Sequence, residues 1–346
     1  MLLPNIFGWL ADTQGCGYYR LMLPLCELAR RGTADTAFNG HMFAGYATGA
    51  RLDDIRVIHD GDPAIIIGQR VANPVPSATW QALAKADRFR LVYDIDDDLF
   101  HVDPANERAY KFFGDPGVRR RMAENLAVAH MVTVSTQPLA EQMRQYNDNV
   151  VVIANYVDAA ALTFERQPWD GLTVGWSGSS THHADFAAVA RWLQQFYRRR
   201  PDVAWHSFGH DYGPLTGAIR RRYTKWRDIL EDQAGYFGSL RWDIGIAPLA
   251  DTVFNASKSG LRAVEHAAAG IPLVASNVAP YAETVVHGVT GFLASNRREW
   301  MDALNTLAGD PDLRAAMGAA ARERAAEWTV QANGHRWVDV LGSLKW

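Results

Sequence analysis

Short apolar runs alternate with longer helical patterns along the sequence, and this alternation is typical of parallel strand-helix units. The first series of predicted strands covers residues 6–11, 64–68, 91–95, 131–135 and 150–154. The second series covers residues 172–176, 203–208, 235–238, 244–249, 272–275 and 291–294. Apolar residues at helical spacing predict a helix over residues 186–197, and two more helices are expected at 310–328 and 331–346. The pattern therefore predicts an α/β protein.

The 346 residues exceed what one hydrophobic core usually holds, so we expect two domains. Residues 155–171 contain Pro168 and lack clear periodicity, which places the domain boundary there. We predict Rossmann-like domains at residues 1–160 and 161–328, and a terminal helix at 329–346 that packs back on the N-terminal domain. Ligands of parallel sheets bind beyond the carboxyl ends of the strands, so a site is expected in the loops that follow the strands.

Composition and charge exclude several classes of protein. The hydrophobic fraction of 48% and the charged fraction of 21% are typical of a folded chain. The formal net charge of −3 gives no overall field that would attract nucleic acid or an anionic membrane. The two cysteines, Cys16 and Cys26, lack metal-ligand spacing and favour a reducing compartment. No signal peptide or membrane-spanning run is recognisable, so we expect a cytoplasmic protein.

Residues 243–276 are the most informative segment. A predicted strand ends near Leu249, a polar loop with Lys258 and Ser259 follows, and an alanine-rich helix runs to Gly270. The first N–H groups of a helix and its positive dipole end favour a diphosphate, and the Lys258 ammonium and the Ser259 hydroxyl add to this. Glu265 follows Lys258 by seven residues, roughly 10 Å along a helix, which approximates the distance from a diphosphate to its ribose. The alternative is that Ser257 caps the helix and Glu265 is a surface charge.

This segment resembles the donor-binding part of the retaining glycosyltransferases of family 4, which have the GT-B architecture. The resemblance rests on the strand-loop-helix layout, on EHAAAGIP at 265–272 and on HGVTGFLA at 287–294, and it continues through REWMDAL and DPDLRAAMGAAARERA. It covers most of residues 172–330 and is weaker in the N-terminal half. It implies two Rossmann-like domains facing each other across a cleft. The implied reaction is transfer of a sugar from a nucleoside diphosphate to a hydroxyl, with retention of anomeric configuration.

By position, the resemblance assigns Glu265 to the second carboxylate of the family's Glu-x7-Glu pair, which holds the ribose. Ser257 occupies the place of the first glutamate, which normally contacts the transferred sugar, so Asn255 or residues 251–254 are predicted to do so here. The diphosphate is assigned to Lys258, to Ser259 and to Gly260. Lys258 also has the catalytic role of stabilising the departing diphosphate.

Two other loops at predicted strand ends carry glycines and small polar residues. In GWSGSSTHHADF, residues 175–186, the small residues that permit close backbone approach to a ligand are Ser177, Gly178 and Ser179. This loop resembles a glycine-containing loop of family 4 but lacks its usual arginine and lysine. His182 or His183 is therefore predicted to supply polar contacts, with ordinary surface histidines as the alternative.

In DTQGCGYYR, residues 12–20, Gly15 and Gly17 lack the third glycine of the dinucleotide fingerprint, so an NAD site is poorly supported. The GT-B comparison implies that this loop faces the diphosphate across the cleft and that Arg20 adds positive charge. A simple tight turn is the alternative.

The run YDIDDDLF places acidic residues at the end of a predicted N-terminal strand. Asp96 and Asp97 are predicted to orient or deprotonate the acceptor hydroxyl, with helix capping or solvated charge as the alternative. Neighbouring carboxylates also suit a divalent cation. In the GT-B comparison a helix terminus and basic side chains balance the diphosphate instead, so no required metal or other cofactor is expected.

The cluster at 220–227 interleaves Tyr223 and Trp226 with five basic residues, a pattern found on nucleic-acid-binding surfaces. A nucleic-acid partner therefore stays open but is not favoured over a solvated face. The donor is expected to be a UDP-sugar in preference to a GDP-sugar, and the acceptor is not identified. Two other functions stay open: a nucleotide-sugar epimerase of GT-B fold, and a GT-B protein that binds nucleotide or nucleic acid without turnover.

Overall fold

The structure, a computed structural model, describes residues 2–12, 14–38, 64–104 and 106–345. Its strands are β1 (Ile6–Trp9), β2 (Thr36–Phe38), β3 (Ile65–Gln69), β4 (Arg90–Ile95), β5 (Met131–Val134), β6 (Val150–Val152), β7 (Thr173–Gly178), β8 (Ala204–Gly209), β9 (Arg221–Thr224), β10 (Ile244–Ala247), β11 (Leu273–Ser276) and β12 (Gly291–Ala294).

The α-helices are α1 (Gly15–Gly17), α2 (Leu23–Arg30), α3 (Pro74–Ala86), α4 (Glu107–Phe113), α5 (Pro116–Ala127), α6 (Gln137–Met143), α7 (His183–Arg199), α8 (Gly213–Thr216), α9 (Gln233–Gly238), α10 (Val253–Ala256), α11 (Leu261–Ala268), α12 (Ala279–Ala282), α13 (Arg297–Gly309), α14 (Pro311–Ala325) and α15 (Val330–Gly342). A π-helical stretch, Tyr18–Met22, joins α1 to α2. Short 3-10 helices lie at Ala159–Thr163, Ser180–His182 and Ala326–Trp328.

In the described part of the chain the strands form two six-stranded sheets. Their orders are β2-β1-β3-β4-β5-β6 and β12-β11-β10-β7-β8-β9, and the paired strands run parallel. Most central strands are buried along their whole length, as expected for sheets covered by helices on both faces. The predicted α/β class with two Rossmann-like halves is therefore confirmed.

The prediction of a strand at residues 235–238 is wrong, because this segment belongs to helix α9. The Asp232 carboxylate accepts a hydrogen bond from the Gly235 N–H and caps the helix. The adjacent Tyr236 and Phe237 had suggested a short buried strand. Two edge strands, β2 and β9, were missed. In β9 exposed and half-buried residues alternate, which looks like a polar loop in sequence.

The chain crosses between the two sheets within residues 153–172 and returns after the second one. Val157 forms a parallel bridge with Thr329, and helix α15 then packs against α2. The ring of Trp337 on α15 is buried in a core that contains side chains from both sheets. No helix among the described residues is long and apolar enough to span a membrane.

Candidate functional site

A cavity of about 250 Å³ lies where the carboxyl ends of the two sheets face each other. Nine of the predicted catalytic and donor-binding residues line it: Gly15, Asp96, Asp97, Ser177, Gly178, His182, Lys258, Ser259 and Glu265. They come from five separate loops or helices. The fold thus brings together segments that are far apart in sequence, as the rule for parallel sheets predicts.

Arg20 does not line this cavity, so the prediction that it faces a diphosphate is wrong. Its side chain is fully buried, and its Nη2 lies 2.7 Å from Asp94 Oδ1. Its Nη1 donates to the Ile153 carbonyl and to Asn155 Oδ1. The Asn155 amide in turn donates to Ser259 Oγ at 3.0 Å. A buried guanidinium needs a carboxylate, and Asp94 supplies it. Among the described contacts, Arg20 is linked to the cavity wall only through Asn155.

Four other predicted residues shape loops beside the cavity without lining it. The Gly17 N–H donates to Asp12 Oδ1, and a Cβ on Gly17 would lie 1.7 Å from the Asp12 carbonyl oxygen. Gly260 is the N-cap of α11, where a Cβ would lie 2.4 Å from the Pro280 carbonyl oxygen. Ser179 Oγ lies 2.6 Å from Thr181 Oγ1, and the Asn255 amide donates to Asp185. A side chain at Gly17 or Gly260 would clash with a backbone carbonyl, so both positions require glycine. The side chains of Ser179 and Asn255 are already engaged in hydrogen bonds within the protein.

The polar loop predicted to hold Lys258 and Ser259 is present, but it lies wholly before the helix. Helix α10 ends at Ala256, a turn containing Lys258 follows, and α11 begins at Leu261. Lys258 and Glu265 are therefore not on one helical face, as the sequence spacing had suggested. The end of α11 is as predicted, because Gly270 has the left-handed φ of 67° that stops a helix.

Ser257, at the place of the absent glutamate, is buried, and its backbone carbonyl accepts a hydrogen bond from Thr136 Oγ1 at 2.8 Å. It does not line the cavity. Asn255 is also turned away from it, so neither side chain is placed to contact a sugar.

Glu265 lies at the wall of the cavity with two tyrosine hydroxyls on one of its oxygens. Oε1 accepts from Tyr19 at 2.6 Å and from Tyr236 at 2.9 Å. Tyr19 comes from the N-terminal domain and Tyr236 from α9. Burial raises the pKa of Glu265, and the two tyrosine hydrogen bonds oppose that rise. Among the described residues no hydrogen bond to Oε2 is found, which leaves this oxygen for a ligand.

Asp96 and Asp97 of the acidic run pair with Arg70 of the same domain, and Asp97 also pairs with Lys258 across the cleft. Arg70 Nη2 lies 2.5 Å from Asp96 Oδ1 and 3.1 Å from Asp97 Oδ2. Asp97 Oδ1 lies 3.4 Å from Lys258 Nζ. Burial raises the pKa of Asp96. Burial acts in the same direction on Asp97, but Lys258 and Arg70 together hold the pKa of Asp97 below its usual value.

Arg70 was missed in the sequence, although it directly follows the buried strand β3. Its φ of 49° lies in the left-handed region, which is unusual for a residue other than glycine. Such a backbone persists where side-chain contacts over-determine it, and here the two aspartates do so. Arg70 also lines a second cavity of about 460 Å³ in the N-terminal domain, whose walls include Trp9, Phe112 and Phe113. The ion pair of Arg70 and Asp96 therefore connects a residue of the second cavity wall with a residue of the first.

Arg262 is a second residue that sequence analysis missed, and it lines the first cavity beside His182. Its Nη2 lies 3.1 Å from His182 Nε2, and the His182 Nδ1 lies 2.8 Å from Asp185 Oδ2. Burial, and then the nearby Arg262, lower the pKa of His182 to about 4. The available signal was its position four residues after Lys258, in the first turn of α11.

Trp226, from the aromatic and basic cluster after β9, also lines the first cavity. Its ring stacks on Phe208 with centroids 5.1 Å apart, and 41% of the residue is exposed. Tyr223 instead donates its hydroxyl to the Gly209 carbonyl. Part of the pattern that suggested nucleic acid therefore belongs to the wall of this cavity.

Within the residues that the structure describes, no group of three or more His, Cys, Asp or Glu side chains is placed to hold a metal ion. The acidic run instead has a basic partner for each carboxylate. Asp94 pairs with Arg20, and Asp98 lies 2.8 Å from His101 Nδ1.

The comparisons with known proteins agree with this geometry. Residues 254–324 match the family model described as Glycosyl transferases group 1. The D-inositol 3-phosphate glycosyltransferase of Corynebacterium diphtheriae is 40% identical over 85 residues, which cover 24% of this chain and only 20% of that protein. These matches confirm the resemblance seen in residues 254–324.

Several solved structures match nearly the whole chain, and two of them illustrate the likeness. Sucrose-phosphate synthase from Thermosynechococcus elongatus has a TM-score of 0.68 at 14% identity and covers 99% of both chains. HepE from Anabaena, solved in complex with UDP and glucose, has a TM-score of 0.67 at 17% identity and covers 99% of this chain and 100% of that one. The GT-B architecture is therefore confirmed.

Proposed function

We propose that this protein transfers a sugar from a nucleoside diphosphate sugar, specifically a UDP-sugar, to a hydroxyl group of an acceptor. The observation that carries the proposal is the composition of the first cavity. Two cations, Lys258 and Arg262, and one carboxylate, Glu265, face it together from the same segment of the chain. Cations suit a diphosphate, and a carboxylate oxygen suits the hydroxyls of a ribose.

Each part of the donor has a complementary protein group along the wall of the first cavity. Lys258 and the Ser259 hydroxyl lie in the turn before α11 and bind the diphosphate. Glu265 Oε2 accepts from the ribose hydroxyls. The exposed ring of Trp226 offers a stacking surface for the base. As the bond to the sugar breaks, negative charge grows on the diphosphate, and the fixed cations stabilise it.

The choice of UDP is supported by HepE, a protein of the same fold whose structure holds UDP and glucose. The group 1 family model and the D-inositol 3-phosphate glycosyltransferases support sugar transfer as the reaction. Since the matched segment is short in both comparisons, the acceptor of those relatives is not carried over. Retention of configuration is part of the proposal and is supported by the resemblance to family 4.

We place the acceptor in the second cavity, with its reactive hydroxyl directed toward Asp96. Asp96 lines the first cavity and is paired with Arg70, which lines the second, and its raised pKa favours acceptance of a proton. The aromatic walls formed by Trp9, Phe112 and Phe113 suit the apolar face of a sugar ring or another flat group. Because Asp96 is paired with Arg70, it orients the hydroxyl while the departing phosphate assists in removing its proton.

Independence from metal ions and a cytoplasmic location complete the proposal. Lys258 and Arg262 supply the charge that a divalent cation would otherwise bring to the diphosphate. Both cysteines, Cys16 and Cys26, are free thiols, which agrees with a reducing compartment.

The test is a panel of UDP- and GDP-sugars incubated with the protein and mixtures of hydroxyl acceptors. We expect UDP release that depends on acceptor, a product whose mass rises by one sugar, and an unchanged anomeric configuration in its NMR spectrum. Incubation with donor alone separates the other candidates, because an epimerase would interconvert donor sugars without acceptor. Tight nucleotide binding with no turnover across the panel would contradict the proposal and favour a binding protein.

A further inference from the structure

Arg262 is the second residue of α11, and its guanidinium extends into the first cavity toward the loop that follows β7. That loop, residues 175–186, contains no arginine or lysine. A Cβ on Gly178 would lie 2.9 Å from Arg262 Nη2, so the glycine leaves room for the guanidinium. The positive charge at this side of the cavity therefore comes from the helix and not from the loop.

The guanidinium is only partly satisfied by the protein. Nη1 is buried and has no hydrogen-bond partner among the described residues, and no carboxylate there lies within ion-pair distance of Arg262. Burial raises the pKa of Tyr281, and the charge of Arg262 and a hydrogen bond from its guanidinium oppose that rise, so Nη1 is the atom that lacks a partner. A buried N–H of a cation without an acceptor is costly, so such an atom at a cavity wall points to an anionic ligand.

Lys258 provides a comparison within the same cavity. Its ammonium lies 3.4 Å from Asp97, so its charge is balanced by the protein. Arg262 instead contacts the neutral ring of His182 and lies over the Trp176 ring at 5.3 Å from its centroid. Among the described residues, Lys258 is therefore in an ion pair, whereas Arg262 has no carboxylate within ion-pair distance and acts on Glu265 only at longer range.

The contact with His182 fixes which ring nitrogen carries the proton. An arginine only donates hydrogen bonds, so His182 Nε2 must be the acceptor and the proton must be on Nδ1. Nδ1 then donates to Asp185 Oδ2 at 2.8 Å. Its pKa of about 4, which results from burial and the nearby Arg262, keeps this ring neutral near pH 7.

Asp185 connects this arrangement to the loop that follows β10. Its Oδ1 accepts from the Asn255 amide at 2.7 Å and from the Ala250 backbone N–H at 2.9 Å. Because both oxygens are occupied, the carboxylate is fixed, and it holds the His182 ring in one orientation. The side chain of Arg262 is thereby held in place by two residues that precede it by about 80 positions.

We propose that Arg262 is a second diphosphate-binding residue and that His182 and Asp185 are positioning residues that hold its guanidinium toward the diphosphate. This inference rests on the proposed function, since the ligand is the diphosphate of the donor. The role of His182 is then to orient Arg262, and direct contact with the donor is not needed. Arg262 stabilises the charge that develops on the diphosphate as it leaves the sugar.

The first experiment measures binding of UDP and of uridine to the wild type, to Arg262→Gln and to Arg262→Lys. A charge-assisted hydrogen bond corresponds to about a tenfold to hundredfold change in affinity, so we expect a loss of this size for UDP with Arg262→Gln. Uridine affinity, from ligand-observed NMR, should stay unchanged. Arg298→Gln, on an exposed arginine of α13, is the control and should bind UDP normally.

Two results distinguish a failure of the proposed function from a failure of the Arg262 assignment. If the wild type binds no nucleoside diphosphate, the proposed function fails. If the wild type binds UDP and Arg262→Gln binds UDP equally well, the assignment of Arg262 is wrong. The assignment is also wrong if the substitution weakens uridine binding as much as UDP binding.

The positioning role is tested by a double-mutant cycle with His182→Phe, which keeps a ring but removes the acceptor. We expect a loss of UDP affinity of about threefold to tenfold for His182→Phe alone, and no additional loss in the Arg262→Gln background. Additive losses would show that His182 acts on the ligand directly and would overturn this part of the proposal. Melting temperatures of the three variants confirm that each is folded.

Discussion

Replacing Glu265 by glutamine tests the ribose assignment most directly, because it changes charge while keeping shape. The glutamine carbonyl can still accept from Tyr19 and Tyr236, as Oε1 does at 2.6 and 2.9 Å. The amide NH2 then takes the place of Oε2. Alanine would be a poorer choice, because it would leave two buried hydroxyls unpaired at about 1–3 kcal/mol each and so disturb the fold.

The expected effect on affinity follows from the kind of hydrogen bond that is lost. Hydrogen bonds to a charged group contribute about 1.5–3 kcal/mol and neutral ones about 0.5–1.5 kcal/mol, so each ribose contact weakens by about 1–1.5 kcal/mol. This corresponds to about tenfold weaker UDP binding for one hydroxyl and about a hundredfold for both. The free protein should not become less stable, because burial already raises the pKa of Glu265 and disfavours its charge.

The assay compares UDP with 2′,3′-dideoxy-UDP on the wild type and on Glu265→Gln. If Glu265 binds the ribose hydroxyls, the mutation weakens UDP but leaves the dideoxy nucleotide almost unaffected. Tyr236→Phe is the matched control, since it removes one hydrogen bond from Oε1 and leaves Oε2 in place. An equal loss for both nucleotides would refute the ribose assignment, and so would unchanged affinity for UDP.

Three further outcomes are expected. Asp96→Asn should lower the transfer rate by about a hundredfold to ten-thousandfold with nearly unchanged UDP affinity; a variant that melts earlier but transfers normally would make the carboxylate structural. Initial rates should be the same with and without excess EDTA, and a loss of activity that magnesium restores would show a metal requirement. Burial lowers the pKa values of His182, His206 and His266 to about 4, so the unfolded state binds protons that the folded state does not. Denaturant titrations should therefore show stability falling as pH drops from 6.5 to 4, by about 2 kcal/mol per histidine at pH 5, and a flat profile would contradict this.

The strand, turn and helix of residues 243–276 could be predicted from sequence because their signals are local. A buried strand, a polar turn, a short helix and Gly270 followed by Pro272 lie within thirty residues or so of each other, and each has its own chemistry. The expectation that Lys258 and Glu265 share one helical face was wrong, because the helix begins only after the polar turn. In the structure the N-cap is Gly260, which has no side chain to signal it.

The partners of the charged residues could not be predicted, because they depend on tertiary contacts. Arg20 and Asp94 are 74 positions apart, and the sequence shows only a cation after a glycine-containing loop. Tyr19 and Glu265 are 246 positions apart and belong to different domains. Arg262 was overlooked for a related reason. A basic residue inside a helix is usually solvated, and only the glycine at position 178 and the neutral His182 show that this one lies in a cavity.

The short segment to which we assign donor binding also joins the two domains. Thr136 donates to the Ser257 carbonyl, Asn155 donates to Ser259 Oγ, and Tyr19 donates to Glu265. Lys258 pairs with Asp97 across the cleft. Under the proposed assignment, a bound diphosphate would compete with Asp97 for the charge of Lys258. The Ser259 hydroxyl would donate to a phosphate while its Oγ still accepts from Asn155. The contacts at Ser257 and Glu265 use a backbone carbonyl and Oε1, which the proposed donor contacts do not use. Donor binding would therefore weaken one contact between the domains while the other three keep the cleft aligned.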